Sequence, residues 1–204
     1  FEDVYFTNGM SRDFVNGDLK DRFKKILKDG DNSISEFELW ENEKPYQLKN
    51  MVYKNLGNLK FKDVSQSWNL DHLGVSTGSA IGDLDGDGDL DMVVNGFKEE
   101  VRVYRNDLSQ NNILRLRLRG KDSNIFGLGS KIIVTLPNGD LMTRYLSSSR
   151  GFMSSSEPVV HFGLGQFLKA KKVSIYWPSG QIQILENMPA GYVYTISEQS
   201  NSSK

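Results

Sequence analysis

Five aspartates stand at alternate positions in the run Gly82-Asp83-Leu84-Asp85-Gly86-Asp87-Gly88-Asp89-Leu90-Asp91. A carboxylate is a hard oxygen donor, and alternate spacing in a short loop turns successive side chains toward one point. Ca²⁺ suits that arrangement, because it takes about six to eight oxygens at ~2.3–2.6 Å. On this reading Asp83, Asp85 and Asp87 supply side-chain oxygens, Asp89 offers its backbone carbonyl, and Asp91 closes the shell. Gly88 falls where the chain must turn sharply, and glycine tolerates the positive φ required there. Without a cation the five carboxylates repel one another. A solvated acidic turn is the simpler alternative, but strict alternation with a glycine at the bend argues against it.

The loop is not an EF-hand. That motif ends on a bidentate Glu at its twelfth position, and the twelfth residue from Asp83 is Val94. The preceding Gly74–Ile81 is small and β-branched, not helical in period. Asp29-Gly30-Asp31-Asn32-Ser33 begins like a second cation loop. Ile34 occupies the place of the turning glycine there, and the segment reads as an inter-helix turn.

Other reactive side chains are sparse. The chain has two histidines, His72 and His161, and no cysteine, which excludes disulfides, thiolate chemistry and Cys-based zinc sites. Ser154, Ser155 and Ser156 lie near His161, but no Gly-x-Ser-x-Gly elbow surrounds them. The expectation for His161 is a strand residue whose ring meets a backbone partner. Arg115, Arg117 and Arg119 read as a solvated strand face. Arg150-Gly151-Phe152 and Gly163-Leu164-Gly165 either line a shared groove or use their glycines for close strand packing, and the second reading is preferred.

The elements that would position these residues are mostly strands. Val4–Thr7 reads as a short strand closed by Asn8-Gly9. From Asp18, an N-cap candidate, Leu19, Phe23, Ile26 and Leu27 recur at helical spacing, with Gly30 past the end. Ser33 and Glu36 form a capping-box pair for a second helix with Ile34, Phe37 and Trp40 as its buried stripe, stopped by Pro45. Met51–Lys54 and Leu59–Phe61 flank a hairpin turn at Asn55–Asn58. With Met92–Asn95 and Val101–Tyr104 they make up one four-stranded blade. The C-terminal part is a run of hairpins. Leu114, Leu116 and Leu118 alternate with the arginines; Lys131–Leu136 pairs with Leu141–Leu146; Val173–Trp177 pairs with Ile182–Ile184; and Tyr192–Ile196 is a last strand. The polar stretch from Glu198 to Lys204 is expected to fray.

The Asp-x-Asp-Gly-Asp-Gly-Asp-x-Asp loop before an apolar strand resembles the calcium loop of FG-GAP/VCBS repeats, the blades of integrin-α-type β-propellers. Tyr5-Phe6-Thr7-Asn8-Gly9 looks like the tail of a preceding repeat. Asn124-Ile125-Phe126-Gly127-Leu128-Gly129-Ser130, Ser149–Ser155, His161-Phe162-Gly163-Leu164-Gly165 and Trp177-Pro178-Ser179-Gly180 resemble the ASPIC/UnbV domain over about residues 112–198. The resemblance implies a partial β-propeller-type repeat with a helical insertion, followed by a compact antiparallel β domain. Residues 1–107 would be the end of the repeat region, with the insertion at about 17–44. Residues 108–198 would form the ASPIC/UnbV-like domain, and 199–204 a polar tail. Whole propellers use about four to eight blades, so these strands would pack against further repeats of a longer parent, which the absence of a starting Met or signal peptide also leads one to expect.

The charge balance is −1, so no basic face for nucleic acid is expected, and no apolar run is long enough to span a membrane. Extracellular calcium modules bind at ~10⁻⁴–10⁻³ M, far above cytosolic free calcium. The expected setting is therefore secreted: extracellular, cell surface or periplasmic. The expected function is a non-enzymatic, calcium-stabilised binding or adhesion module with a protein or glycan ligand. The alternatives are a glycan-binding module that stacks sugars on exposed Tyr and Trp, and an enzyme or biosynthetic accessory domain, which the ASPIC/UnbV resemblance also covers.

Overall fold

The computed structural model describes residues 2–29, 35–107 and 112–199. The protein is mostly β. Strand Val4–Phe6 (β1) precedes two helices, Gly17–Lys28 (α1) and Glu36–Asn42 (α2). Leu48–Lys49 (β2), Met51–Gly57 (β3), Lys60–Asp63 (β4), Leu73–Gly74 (β5), Ser76–Gly82 (β6), Asp91–Gly96 (β7) and Arg102–Tyr104 (β8) follow. Then come Ile113–Arg119 (β9), Lys131–Thr135 (β10), Leu141–Tyr145 (β11), Ser149–Gly151 (β12), Ser154–Ser155 (β13) and Val159–Gly163 (β14). Lys169–Tyr176 (β15), Ile182–Pro189 (β16) and Val193–Ser197 (β17) complete the chain. Two compact units result: Phe1–Ser79 with Val94–Arg102, and Ala80–Val93 with Val103–Lys204. The aspartate loop therefore belongs to the second unit.

In the first unit, α1 is capped by Asn16, whose side chain accepts from Leu19 N at 3.2 Å. Asp18, the expected cap, lies in the first turn, where its charge complements the helix dipole. Phe23 is buried and meets the Trp40 ring of α2 edge-on at 4.8 Å. The capping box of α2 is Ser35 with Glu38, two residues beyond the expected pair. Ser33, Ile34 and the Asp31–Ser33 part of the second acidic loop lie outside the described residues. Phe37 is exposed, so the expected stripe reduces to Trp40, which packs on both Phe14 and Phe23. Asn50 forms the polar centre of this unit. It is 1% exposed, donates to Tyr5 Oη and Ser76 Oγ at 2.8 Å each, and accepts from Asn8 N at 3.1 Å.

Strands β1, β3 and β4 form an antiparallel sheet, and the β3–β4 register pairs Gly57 with Lys60. The hairpin turn is thus Asn58-Leu59, tighter than the sequence predicts. Both residues have positive φ, 51° and 58°, the two-residue geometry that matches strand twist. Asparagine suits that region and leucine does not. Leu59 is 96% exposed, so no packing offsets its strain. Leu59→Gly is expected to raise stability by about 1 kcal/mol in urea titration.

In the second unit, a four-stranded sheet β11-β10-β15-β16 and a three-stranded sheet β14-β9-β17 share one apolar core. Leu114, Leu116 and Leu118 of β9, Ile132 and Val134 of β10, Phe162 of β14, and Val173 and Ile175 of β15 are all 1% exposed or less. The leucines of the Leu/Arg alternation point inward as the period of two requires. All pairings in these two sheets are antiparallel except β17 with β9. That parallel pair joins distant parts of the chain, as parallel strands require a long connection. The strands flanking the aspartate loop form a three-stranded sheet, β6-β7-β8, where four strands were expected. Of the four strands expected in that blade, β7 and β8 are in this sheet, whereas β3 and β4 pair with β1.

Candidate metal centre

The acidic loop connects β6 to β7, and its turns are made by two glycines. Gly86 and Gly88 have φ of +82° and +104°, a region that L side chains avoid. Each of three carboxylates then folds back on the loop's own backbone. Asp83 Oδ1 accepts from Gly86 N at 2.8 Å, Asp85 Oδ1 from Asp87 N at 3.2 Å, and Asp87 Oδ1 from Asp89 N at 2.8 Å. These bonds fix one oxygen per residue. Asp91, at the start of β7, is 1% exposed and closes the loop. Its Oδ2 accepts from Leu84 N and its Oδ1 from Asn106 N, both at 2.9 Å.

Oxygens of Asp83, Asp85 and Asp91 lie within 4.8 Å of one another, and so do oxygens of Asp85, Asp87 and Asp107. Four of the five expected residues thus fall into two overlapping groups that share Asp85. Asp107 joins them, a residue that the loop spacing does not reveal because it arrives from beyond β8. Asp89 behaves differently from the expectation. It belongs to neither oxygen group; the residue is 5% exposed, and Oδ2 is buried without a hydrogen-bond partner. Burial pushes the Asp89 carboxyl above its ordinary value, and the charges of Asp87, Asp83, Asp91 and Asp85 push it further. A buried, unpartnered carboxylate oxygen among four more carboxylates is the donor set a hard divalent cation satisfies. The residues fit Ca²⁺.

Arg115 does not lie on a solvated face. Its guanidinium pairs with Asp83 Oδ2, and the two side chains are only 12% and 9% exposed. Arg117 and Arg119 do face solvent. His161 sits opposite Arg115 in the β9–β14 register. Its Nε2 lies 3.2 Å from Glu157 Oε1, so its partner is a carboxylate where a backbone group was expected, and Nδ1 is buried without a partner. Burial draws the imidazole below its ordinary value, partly offset by Glu157. The nearby serines are otherwise engaged: Ser154 Oγ donates to Phe152 O at 2.8 Å, and Ser156 Oγ accepts from Ile81 N at 3.2 Å. Neither ring nitrogen of His161 meets a serine, so the neighbourhood assembles no Ser–His pair. His72 faces Glu99, 2.9 Å away.

The glycines of the later motifs have their own reasons. A Cβ on Gly127, whose φ is +68°, would stand 2.5 Å from Leu118 Cβ, so this turn needs glycine both for conformation and for space. Gly163 and Gly165 have open space where a Cβ would go, so close strand packing does not explain them. Gly165 instead adopts φ +58°. Phe152 and Met153, at the tip of the β12–β13 hairpin, are each 78% exposed, while Leu164 is buried in the core.

Comparison with known families matches residues 41–94 to the FG-GAP-like repeat and residues 120–203 to the ASPIC and UnbV domain. Cartilage acidic protein 1 of Homo sapiens is 27% identical over 183 residues, which is 85% of this chain and 27% of that protein. Its Mus musculus counterpart is 28% identical over 167 residues, 77% of this chain and 25% of that protein. The Xenopus tropicalis protein of the same name is 32% identical over 113 residues, 53% of this chain and 17% of that protein. The chain spans about a quarter of the length of the first two relatives. Among the described residues no helix is long and apolar enough to cross a membrane.

Proposed function

We propose that this chain, which carries an FG-GAP-like repeat followed by an ASPIC and UnbV domain, is a calcium-stabilised extracellular binding module with no catalytic role. The observation that carries the calcium reading is the buried, unpartnered Asp89 Oδ2 amid four other aspartates. Bound Ca²⁺ would supply positive charge beyond the single Arg115 guanidinium that pairs with Asp83. Asp83, Asp85, Asp87, Asp89, Asp91 and Asp107 are the residues that would hold it. The ion keeps these carboxylates ionised, which suits a structural role and not acid–base work, where two carboxyls must be held at different protonation states. The extracellular setting agrees with the sub-millimolar to millimolar affinity typical of such modules, and similarity to proteins named for cartilage supports it.

Binding a protein or glycan would then fall to surfaces that the loop holds in shape. A glycan reading has one specific support. Tyr145 and Tyr176 flank Lys131 on the outer face of the four-stranded sheet, with Lys131 Nζ at 6.0 and 5.8 Å from the two rings. Both rings are exposed, and exposed aromatic faces are natural platforms for stacking. A screen of the protein against glycans and secreted proteins, with and without chelator, separates the two ligand classes.

The calcium reading is tested on chelated protein. Calorimetry with Ca²⁺ is expected to show saturable binding at sub-millimolar to millimolar concentration, with a rise in melting temperature. Mg²⁺ is expected to compete poorly, because it demands a tight octahedral shell and dehydrates reluctantly. No heat and no change in melting temperature at millimolar Ca²⁺ would refute it.

A further inference from the structure

We propose that Arg115 is the resident counter-cation of the aspartate loop: it offsets part of the loop's negative charge in the metal-free protein and thereby sets how weakly calcium binds. The proposal rests on the calcium reading of Asp83–Asp91 and adds to it a residue from outside the loop.

Arg115 comes from β9, a strand whose alternate leucines are locked in the core of the second unit. Its backbone is pinned on both sides, opposite His161 of β14 and Val193 of β17. The guanidinium therefore has a fixed origin, and the chain delivers it to one place. There it pairs with Asp83 Oδ2, while Asp83 Oδ1 is held by Gly86 N. Both oxygens of this ligand are thus engaged without metal. The guanidinium carbon and its two terminal nitrogens lie 3.6–3.7 Å from where a Cβ on Gly88 would stand, so the arginine lies against the second loop glycine as well as against Asp83. Other cations are scarce around the loop. Among the described residues, the ion pairs of the loop aspartates themselves reduce to Arg115 with Asp83, and Arg105 pairs with the neighbouring Asp107.

The physical consequence has a definite sign. The guanidinium is permanently charged and largely excluded from solvent, so its repulsion of an incoming divalent ion is weakly screened. The same charge offsets the mutual repulsion of the aspartates before metal arrives. Arg115 therefore stabilises the metal-free loop and opposes the metal-loaded one. A site built this way stays folded when calcium is low and fills only when calcium is high. The buried Arg115 Nε without a hydrogen-bond partner fits a side chain held for its charge and not for a full set of bonds. His161, drawn toward its neutral form, adds no second charge beside it.

The test compares wild type, Arg115→Gln and Arg115→Lys by calcium calorimetry and by thermal melting in chelator and in millimolar Ca²⁺. Arg115→Gln is expected to melt lower in chelator, to gain more from calcium than wild type, and to bind Ca²⁺ roughly ten-fold more tightly. Arg115→Lys keeps the charge and is expected to tighten binding far less. If Arg115→Gln is unfolded in chelator, the proposal requires that calcium restore its fold; a variant unfolded in both conditions overturns it. Wild-type binding with equal or weaker affinity in Arg115→Gln also overturns it, because the arginine would then merely orient Asp83. That outcome leaves the calcium reading standing, whereas no binding by wild type removes both.

Discussion

Glu198→Gln is expected to lower the stability of the protein at neutral pH by about 2–3 kcal/mol, because hydrogen bonds to a charged acceptor are worth about 1.5–3 kcal/mol and neutral ones about 1. Glu198 is 4% exposed. Its Oε2 accepts from the backbone amides of Lys121, Asp122 and Ser123 at 2.7, 2.9 and 2.8 Å. Its Oε1 accepts from the hydroxyls of Ser123 and Ser179 at 2.8 and 2.5 Å. Three successive amides converging on one oxygen form an anion-binding concavity. Here the anion is supplied by the end of the chain itself, which ties β17 to the 120–123 turn and to the Pro178–Gly180 hairpin. Burial alone would raise this carboxyl, but the Ser179, Lys121 and Ser123 donors outweigh it and hold it at about 2. A glutamine keeps a carbonyl oxygen for the three amides and turns its NH₂ toward the Ser123 and Ser179 hydroxyls, which can rotate to accept, so the variant chiefly loses the charge that strengthens these bonds.

The pH dependence follows with its sign. Because the folded value lies below the ordinary glutamate value of 4.5, the stabilisation from Glu198 is fully present above that ordinary value. It declines as pH falls from there toward about 2. The melting temperatures of wild type and Glu198→Gln, measured from pH 7 downward, are expected to differ by roughly 10 °C at neutral pH and to converge in acid. A constant difference across that range would mean that the carboxylate charge is not what matters.

Glu198 also marks where reading the sequence alone falls short. At the edge of a polar C-terminal stretch it looks like the start of a frayed tail. Nothing in its neighbourhood signals that a turn 75 residues earlier in the chain presents three amides to it. Arg115 misleads for the same reason. Its alternation with leucine correctly predicts an outward-facing side chain, yet outward from the core at that point means toward the acidic loop. What local chemistry dictates is legible: the glycine bends of the aspartate loop, the Leu114–Leu118 face, the β10–β11 hairpin and the first helix. Helix boundaries slipped by about one to two residues because Asn16 and Ser35 compete with equally good capping residues nearby. The expected blade divides between two sheets because strand pairing is a choice among long-range partners that period alone does not rank. Within the loop, spacing picks out the acidic residues but not how each is used. The burial of Asp89 and Asp91 depends on residues outside the loop.

That division of labour gives the last prediction. Asp91→Ala and Asp85→Ala are both expected to weaken calcium binding, but they should affect the metal-free protein very differently. Asp91 is buried and accepts from two backbone amides, Leu84 N and Asn106 N. Removing it leaves two donors without an acceptor, at about 1–3 kcal/mol each, whether or not calcium is present. Asp85 is exposed and bonds only its neighbour, Asp87 N. Its loss in chelator should be slight, and relief of carboxylate repulsion even opposes it. In calcium its loss appears as forfeited ligand stabilisation, about 1.4 kcal/mol for a site whose Kd lies ten-fold below the ambient ion concentration. Melting curves of both variants in chelator and in millimolar Ca²⁺ separate the two roles. Asp91→Ala should be strongly destabilised in both conditions, and Asp85→Ala only in calcium. Equal losses for Asp85→Ala with and without the ion would make it a structural residue and would leave the loop's alternation without its explanation. Asp91 closes the loop through its own hydrogen bonds, while Asp85, shared by both oxygen groups, lies at the surface, where only a bound cation would make its loss costly.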